Sequence, residues 1–310
     1  MNVLALSGGI GGAKLALGLY RVLPPGALTV IANTGDDFEH LGLSISPDID
    51  TLLYTLAGID NPELGWGRRD ETWTFMAALE TLGGETWFKL GDGDLATHVE
   101  RTRRLAAGES LSQITDNFRR RLGISARILA MSDDRVRTFL RTEQGSLDFQ
   151  DYFVRHRSGP VVHQIVYAGA SEARANPALL AALADDDLEM VVICPSNPFL
   201  SIDPILALPG VRDALKTCRA RVVAVSPIIG GQAVKGPTAK IMAELGLPIG
   251  AAAVAQHYAD ILDIYVADEA DADEVTDLNI PVRLTRTLML TLEDREALAR
   301  AVLAAVSRGF

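Results

Sequence analysis

Residues 3–32 read VLALSGGIGGAKLALGLYRVLPPGALTVIA. Val3–Ser7 is a short apolar run that fits a buried strand. It runs straight into glycines at positions 8, 9, 11 and 12, a helical pattern follows through Leu23, and a second apolar run occupies Leu28–Ala32. Strand, glycine loop, helix, strand is the unit from which a parallel sheet is built.

The unit recurs. MVVIC (190–194), RVVAVS (221–226) and ILDIYVAD (261–268) are further Val- and Ile-rich runs. PALLAALADDD, PTAKIMAEL and the C-terminal TLEDREALARAVLAAVSRG supply helical patterns beside them, the last opened by a capping signal at Thr291 and Asp294. A Rossmann-like, doubly wound α/β fold with a mainly parallel sheet is expected. The stretch 61–160 differs, being charged, Arg-rich and mostly helical in pattern (ATHVERTRRLAAGESLSQITDNFRRRLG), with short polar strand-like pieces. It reads as an inserted lid or second lobe, leaving 1–60 and 161–310 as the core.

Composition narrows function. With 48% hydrophobic and 22% charged residues, the 310-residue chain can bury a large core. A net charge of −11 argues against a nucleic-acid binder, since phosphate contacts need a basic surface. Two cysteines, Cys194 and Cys218, exclude a disulfide framework, and Cys194 ends an apolar run as a small core residue. No zinc spacing occurs among the five histidines. The N-terminus opens on a strand without a signal-peptide pattern, and no run nears ~18 apolar residues. A cytoplasmic protein with no membrane partner is expected.

Five stretches carry candidate chemistry. Gly8, Gly9, Gly11 and Gly12 let a backbone approach an anion at a helix N-terminus, although their spacing is neither a P-loop nor GxGxxG, which disfavours a dehydrogenase. NTGDDFEHLGLSISPDIDTLLYTLAG (33–58) sets Asp36, Asp37, Asp48 and Asp50 just beyond a strand, as helix caps or as hard oxygen ligands for Mg²⁺. In KLGDGDLATHVERT (89–102), Asp92 and Asp94 precede a helix on which His98 and Arg101 share a face. CPSNPFLSIDPIL (194–206) presents Ser196 and Asn197 on a proline-stiffened turn. SPIIGGQAVKGPTAK (226–240) combines Gly230 and Gly231 with Lys235, Gly236 and Pro237 at a helix start, a second phosphate-type seat. The two glycine loops, the Ser-Asn turn and the acidic cluster all follow expected strands of one parallel sheet, so they would share an edge, which points to phosphate chemistry.

These stretches, with MSDDRVRT and VAQHYADILDIYVAD, closely resemble the 2-phospho-L-lactate transferase (CofD or FbiA) family of deazaflavin coenzyme F-420 biosynthesis, along nearly the whole chain. The resemblance implies a Mg²⁺-dependent enzyme, usually a homodimer, that joins the deazaflavin alcohol FO to a guanylylated three-carbon acid and releases GMP. It further implies that Asp50 and Lys89 contact FO, that Asp37 and Asp50 hold Mg²⁺, and that the loops Gly8–Gly12 and Ser226–Pro237 face the nucleotide and diphosphate with Ser196 and Asn197 nearby. Asp92 joins the expected substrate contacts, and Asp48 is left as the helix cap. The alternative, a nucleotide-sugar-binding regulator of the same fold, is disfavoured because DDFEHLGL stands where such proteins carry a DDGGSSG-like stretch. Which acid the donor carries, lactyl, enolpyruvyl or glyceryl, is not legible in these residues.

Overall fold

The computed structural model describes residues 1–63, 65–234 and 236–307. Its centre is a seven-stranded parallel sheet. We number the strands β1 (Asn2–Ser7), β2 (Leu28–Ala32), β3 (Arg127–Ala130), β4 (Leu188–Ile193), β5 (Arg221–Val225), β6 (Ile264–Ala267) and β7 (Val282–Leu284). Their spatial order is 7-6-5-4-1-2-3, with every neighbouring pair parallel. This is the doubly wound Rossmann order carrying one additional edge strand.

Alternation along each strand explains the two layers. Leu4 and Leu6 point into one apolar cluster, while Val3 and Ala5 point into another on the opposite face. Both clusters are buried because a parallel sheet has helices on both sides. Helix α1 (Gly9–Val22), helix α2 (Pro47–Ala57) and the C-terminal helix Leu292–Ser307 belong to the second layer. Gly18 lets α1 meet the C-terminal helix, since a Cβ there would collide with the carbonyl of Arg295. Cys194 is buried, and burial pushes its thiol up to about 12.

Within 61–160 the chain forms helices α3 (Thr74–Thr81), α4 (Asp92–Ala106) and α5 (Leu111–Arg121). It also contributes β3, which pairs with β2 through Thr29–Arg127 to Ala32–Ala130, so the core sheet reaches into this stretch. RILA is only four residues long and follows an Arg-rich helix, which hides it from a periodicity search. The segments Arg137–Thr142, Gly145–Asp148 and Val162–Ala168 make a separate antiparallel sheet that crosses position 160. A hairpin, Phe38–His40 with Leu43–Ile45, lies between β2 and α2.

Candidate active site

The strand order reverses between β1 and β4, the switch point at which open α/β sheets form their ligand crevice. The loops leaving these strands are bonded to each other. Ser196 Oγ donates to the Gly8 carbonyl at 2.7 Å and lies 3.4 Å from the Gly8 N–H. Asn197 Oδ1 accepts from the N–H groups of Phe199 and Leu200, and its Nδ2 donates to Thr238 Oγ1 at 3.0 Å, at the start of the helix Thr238–Glu244.

The glycines have a packing role that sequence spacing does not reveal. A Cβ on Gly11 would run into the carbonyl oxygen of Pro195, and one on Gly12 would lie 2.5 Å from Ser7 Oγ and 2.6 Å from Ser196 Oγ. They let the first turn of α1 lie directly on the Pro195–Ser196 turn. Gly9, at φ 63°, takes a left-handed conformation that favours glycine.

Asp48 departs from its expected part. Ser46, at the N-cap of α2, makes no side-chain cap, and Asp48 does not cap this helix either. Its carboxylate turns to the neighbouring helix, accepting from the Gly9 N–H at 2.5 Å and from Asn33 Nδ2 at 2.9 Å. It thus satisfies a first-turn donor of α1, which only tertiary packing brings within reach.

Four buried aspartates gather around this point, at the C-terminal end of β2 and the start of α2. Asn33 Nδ2 also lies 3.3 Å from Asp36 Oδ1, and Gln150 Nε2 lies 3.4 Å from Asp36 Oδ2. Ser46 Oγ donates to Asp37 Oδ2 at 2.7 Å. Asp37 Oδ1 is buried with no hydrogen-bond partner among the described residues. Burial raises the Asp36 carboxyl well above the ordinary range, helped by repulsion from Asp48 and Asp37. Burial likewise raises Asp37 to about 7, against the attraction of Arg137, and Asp48 to about 6, against the hydrogen bonds from Asn33 and Gly9.

Asp50 is in different company. Arg101 grips its carboxylate with both terminal nitrogens, Nη1 donating to Oδ2 at 3.0 Å and Nη2 to Oδ1. His98 Nδ1 lies 3.6 Å from Asp50 Oδ2, and His98 Nε2 lies 3.1 Å from Asp94 Oδ2. Tyr54 Oη donates to Asp94 Oδ1 at 2.6 Å. Among the described residues, Asp50, Asp94 and His98 form a group whose ligand atoms converge within 4.8 Å. Arg101 already brings a positive charge there: burial works against its guanidinium, but Asp50 outweighs that and holds its pKa above the ordinary value.

The remaining expected residues lie as follows. Lys89 is exposed, immediately before the buried Leu90. Asp92 accepts from Thr72 Oγ1 at 2.6 Å and from the N–H groups of Thr74 and Phe75, so it anchors the start of α3. The Thr72 hydroxyl and these amides hold its carboxyl below the ordinary range. Gly230, Gly231 and Gly236 all have positive φ, and the Gly231 N–H donates to Asp271 Oδ1 at 3.1 Å. Lys235 lies outside the described residues. Tyr54 and Arg137 were not singled out from the sequence, and Asn33 entered only as part of the run that follows β2. Arg137 lies in the MSDDRVRT stretch, and its place near Asp37 and Asp36 arises because its strand belongs to the separate antiparallel sheet.

Comparison with known proteins agrees with this architecture. A crystal structure of protein BH3568 from Bacillus halodurans, a member of the UPF0052 family, superposes with a TM-score of 0.62 over 97% of this chain and 98% of that chain, at 15% identity, a likeness of fold. A phosphoenolpyruvate transferase of Kitasatospora aureofaciens is 43% identical over 98% of this chain and 97% of its own length. A 2-phospho-L-lactate transferase of Methanosarcina mazei is 40% identical over 98% of this chain and 100% of its own. The family profile described as 2-phospho-L-lactate transferase CofD matches residues 3–301, and with relatives of this similarity along their full length the chain belongs to the CofD family of transferases.

Proposed function

We propose that this CofD-type transferase joins FO to a guanylylated three-carbon acid. The ribityl hydroxyl oxygen of FO bonds to the phosphorus that bears the acid, the bond from that phosphorus to the oxygen bridging to GMP breaks, and GMP leaves with the bridging oxygen. The hydroxyl proton passes to a base, for which Asp50 is the candidate. The observation that carries this reading is the junction of the strand-end loops at the β1/β4 switch, with Gly8 bonded to Ser196 beside a buried group of aspartates.

The chemistry asks mainly for positioning and charge neutralisation rather than a protein nucleophile. A divalent cation such as Mg²⁺ suits the acidic group, because Asp37 Oδ1 is buried and bare while Asp36 and Asp48 lie close in charge. Asp37 would hold the ion. Asp50 would join it only by giving up part of its contact with Arg101 or His98. When bound, the ion would offset diphosphate charge. Gly8–Gly12, Ser196 and Asn197 would shape the nucleotide side, with the loop of Gly230, Gly231 and Gly236 as a further diphosphate seat; Lys235 is assigned to that seat from the sequence alone. Lys89 and Asp92 would approach FO from α4 and the segment before it.

Two kinds of donor acid stand in the names of the relatives, phosphoenolpyruvate and 2-phospho-L-lactate. The test is to incubate the protein with FO, Mg²⁺ and the lactyl, enolpyruvyl and glyceryl guanylylated donors in competition. GMP release together with a product of the mass of FO plus one phospho-acid supports the reading. No GMP with any donor refutes it.

A further inference from the structure

We infer that Arg101, assisted by His98, is a positioning residue that fixes the carboxylate of Asp50 from the 61–160 stretch, so that the working geometry of Asp50 depends on helix α4. The inference rests on the role proposed above for Asp50.

The geometry is specific. Asp94, His98 and Arg101 fall on one face of α4, four and then three residues apart. Asp50 and Tyr54 fall on one face of α2, four residues apart. The two faces meet as a ladder: Tyr54 to Asp94, Asp94 to His98, His98 to Asp50 and Asp50 to Arg101. Arg101 is 1% exposed, and its Nη1 also lies 3.3 Å from the Ser44 carbonyl and 3.3 Å from His98 Nδ1. Its planar fork reaches both oxygens of one carboxylate, which a lysine ammonium cannot do in the same geometry.

A buried ion pair is a poor source of net stability, since desolvating two charges consumes most of what their attraction returns. What this pair does supply is direction. Asp36, Asp37 and Asp48 are held by Asn33 just after β2, by Ser46 at the start of α2, by Gly9 of α1 and by Gln150, whereas Asp50 alone of the four is gripped by α4. A carboxylate held by a two-pronged partner has one orientation, and transfer rates depend steeply on such placement.

A double-mutant cycle tests this, with kcat and KM for FO and for the donor measured on Asp50→Asn, Arg101→Lys and the double variant. We expect Arg101→Lys to lower kcat/KM for FO at least tenfold while the donor KM stays within threefold. In the Asp50→Asn background the same change should alter kcat/KM less than threefold, because nothing remains to be positioned. An equal factor in both backgrounds would mean a structural role and would overturn the inference while leaving the role of Asp50 intact. Full turnover by Asp50→Asn alone would instead remove the role of Asp50, and with it this inference. Should Arg101→Lys fail to fold, His98→Asn takes its place in the cycle with the same expectations.

Discussion

Replacing Asp48 distinguishes its observed tie to α1 from a local cap of α2. In Asp48→Ala, the Gly9 N–H and Asn33 Nδ2 each lose their contact with the carboxylate. Asn33 Nδ2 keeps Asp36 Oδ1 and the Leu200 carbonyl within 3.3 Å, so the Gly9 N–H is the buried donor left without a partner, at a cost of about 1–3 kcal/mol. Relief from burying a carboxylate beside Asp36 offsets part of this, which favours the lower half of the range. At about 2–4 °C per kcal/mol for a large domain, melting should fall by roughly 2–8 °C. Asp48→Asn keeps an acceptor for Gly9 and should cost only about 1 kcal/mol. The assay is thermal denaturation at pH 8 without added metal, monitored by circular dichroism. If Asp48→Ala melts within about 1 °C of the parent while the Asn variant does the same, the carboxylate is not holding the start of α1 and the reasoning fails.

Three further outcomes are expected. Gly11→Ala forces α1 off the Pro195 carbonyl and Gly18→Ala forces it off the C-terminal helix, overpacking worth about 1–3 kcal/mol each, partly offset by about 1 kcal/mol of helix propensity. Both should lower the melting temperature, but only Gly11→Ala should raise the donor KM, because only it disturbs the crevice; equal kinetics would refute that distinction. Asp37 and Asp48 have folded pKa values raised to about 7 and about 6 from an ordinary 3.8, so the folded state binds more protons than the unfolded chain between about pH 4 and 7. Their contribution to metal-free stability therefore increases as pH falls from 8 toward 4, and Mg²⁺ should raise the melting temperature more at pH 8 than at pH 5.5; the reverse order in a melting series would contradict the acidic-group assignment. Finally, Lys89→Ala, at an exposed position, should leave stability within about 0.5 kcal/mol and raise KM for FO at least tenfold, and an unchanged KM would remove Lys89 from the site.

The core strands were legible because each is a short apolar run beside a helical pattern, and Val3–Ala32 alone shows the repeating unit. Strand β3 was not, since four residues carry too little period and their parallel partner lies almost a hundred positions earlier in the chain. Strand β7, also brief, is paired only along one edge and has the same weakness. At the site, sequence drew attention to Asp36, Asp37, Asp48 and Asp50 and to the shared face of His98 and Arg101, because composition and helical spacing are local properties. It assigned Asp48 to the nearest helix, since no local rule carries a side chain to a different one.

By itself, then, the sequence determined the alternation of strands and helices, the placing of polar clusters after strand ends and the family resemblance. Tertiary structure decided the partners. It set Asp48 against Gly9, gave Asp50 to Arg101 and left an oxygen of Asp37 bare. The physical reason is range: backbone periodicity is fixed by neighbours a few residues away, whereas burial and charge pairing depend on surfaces that meet only once the sheet has closed its layers.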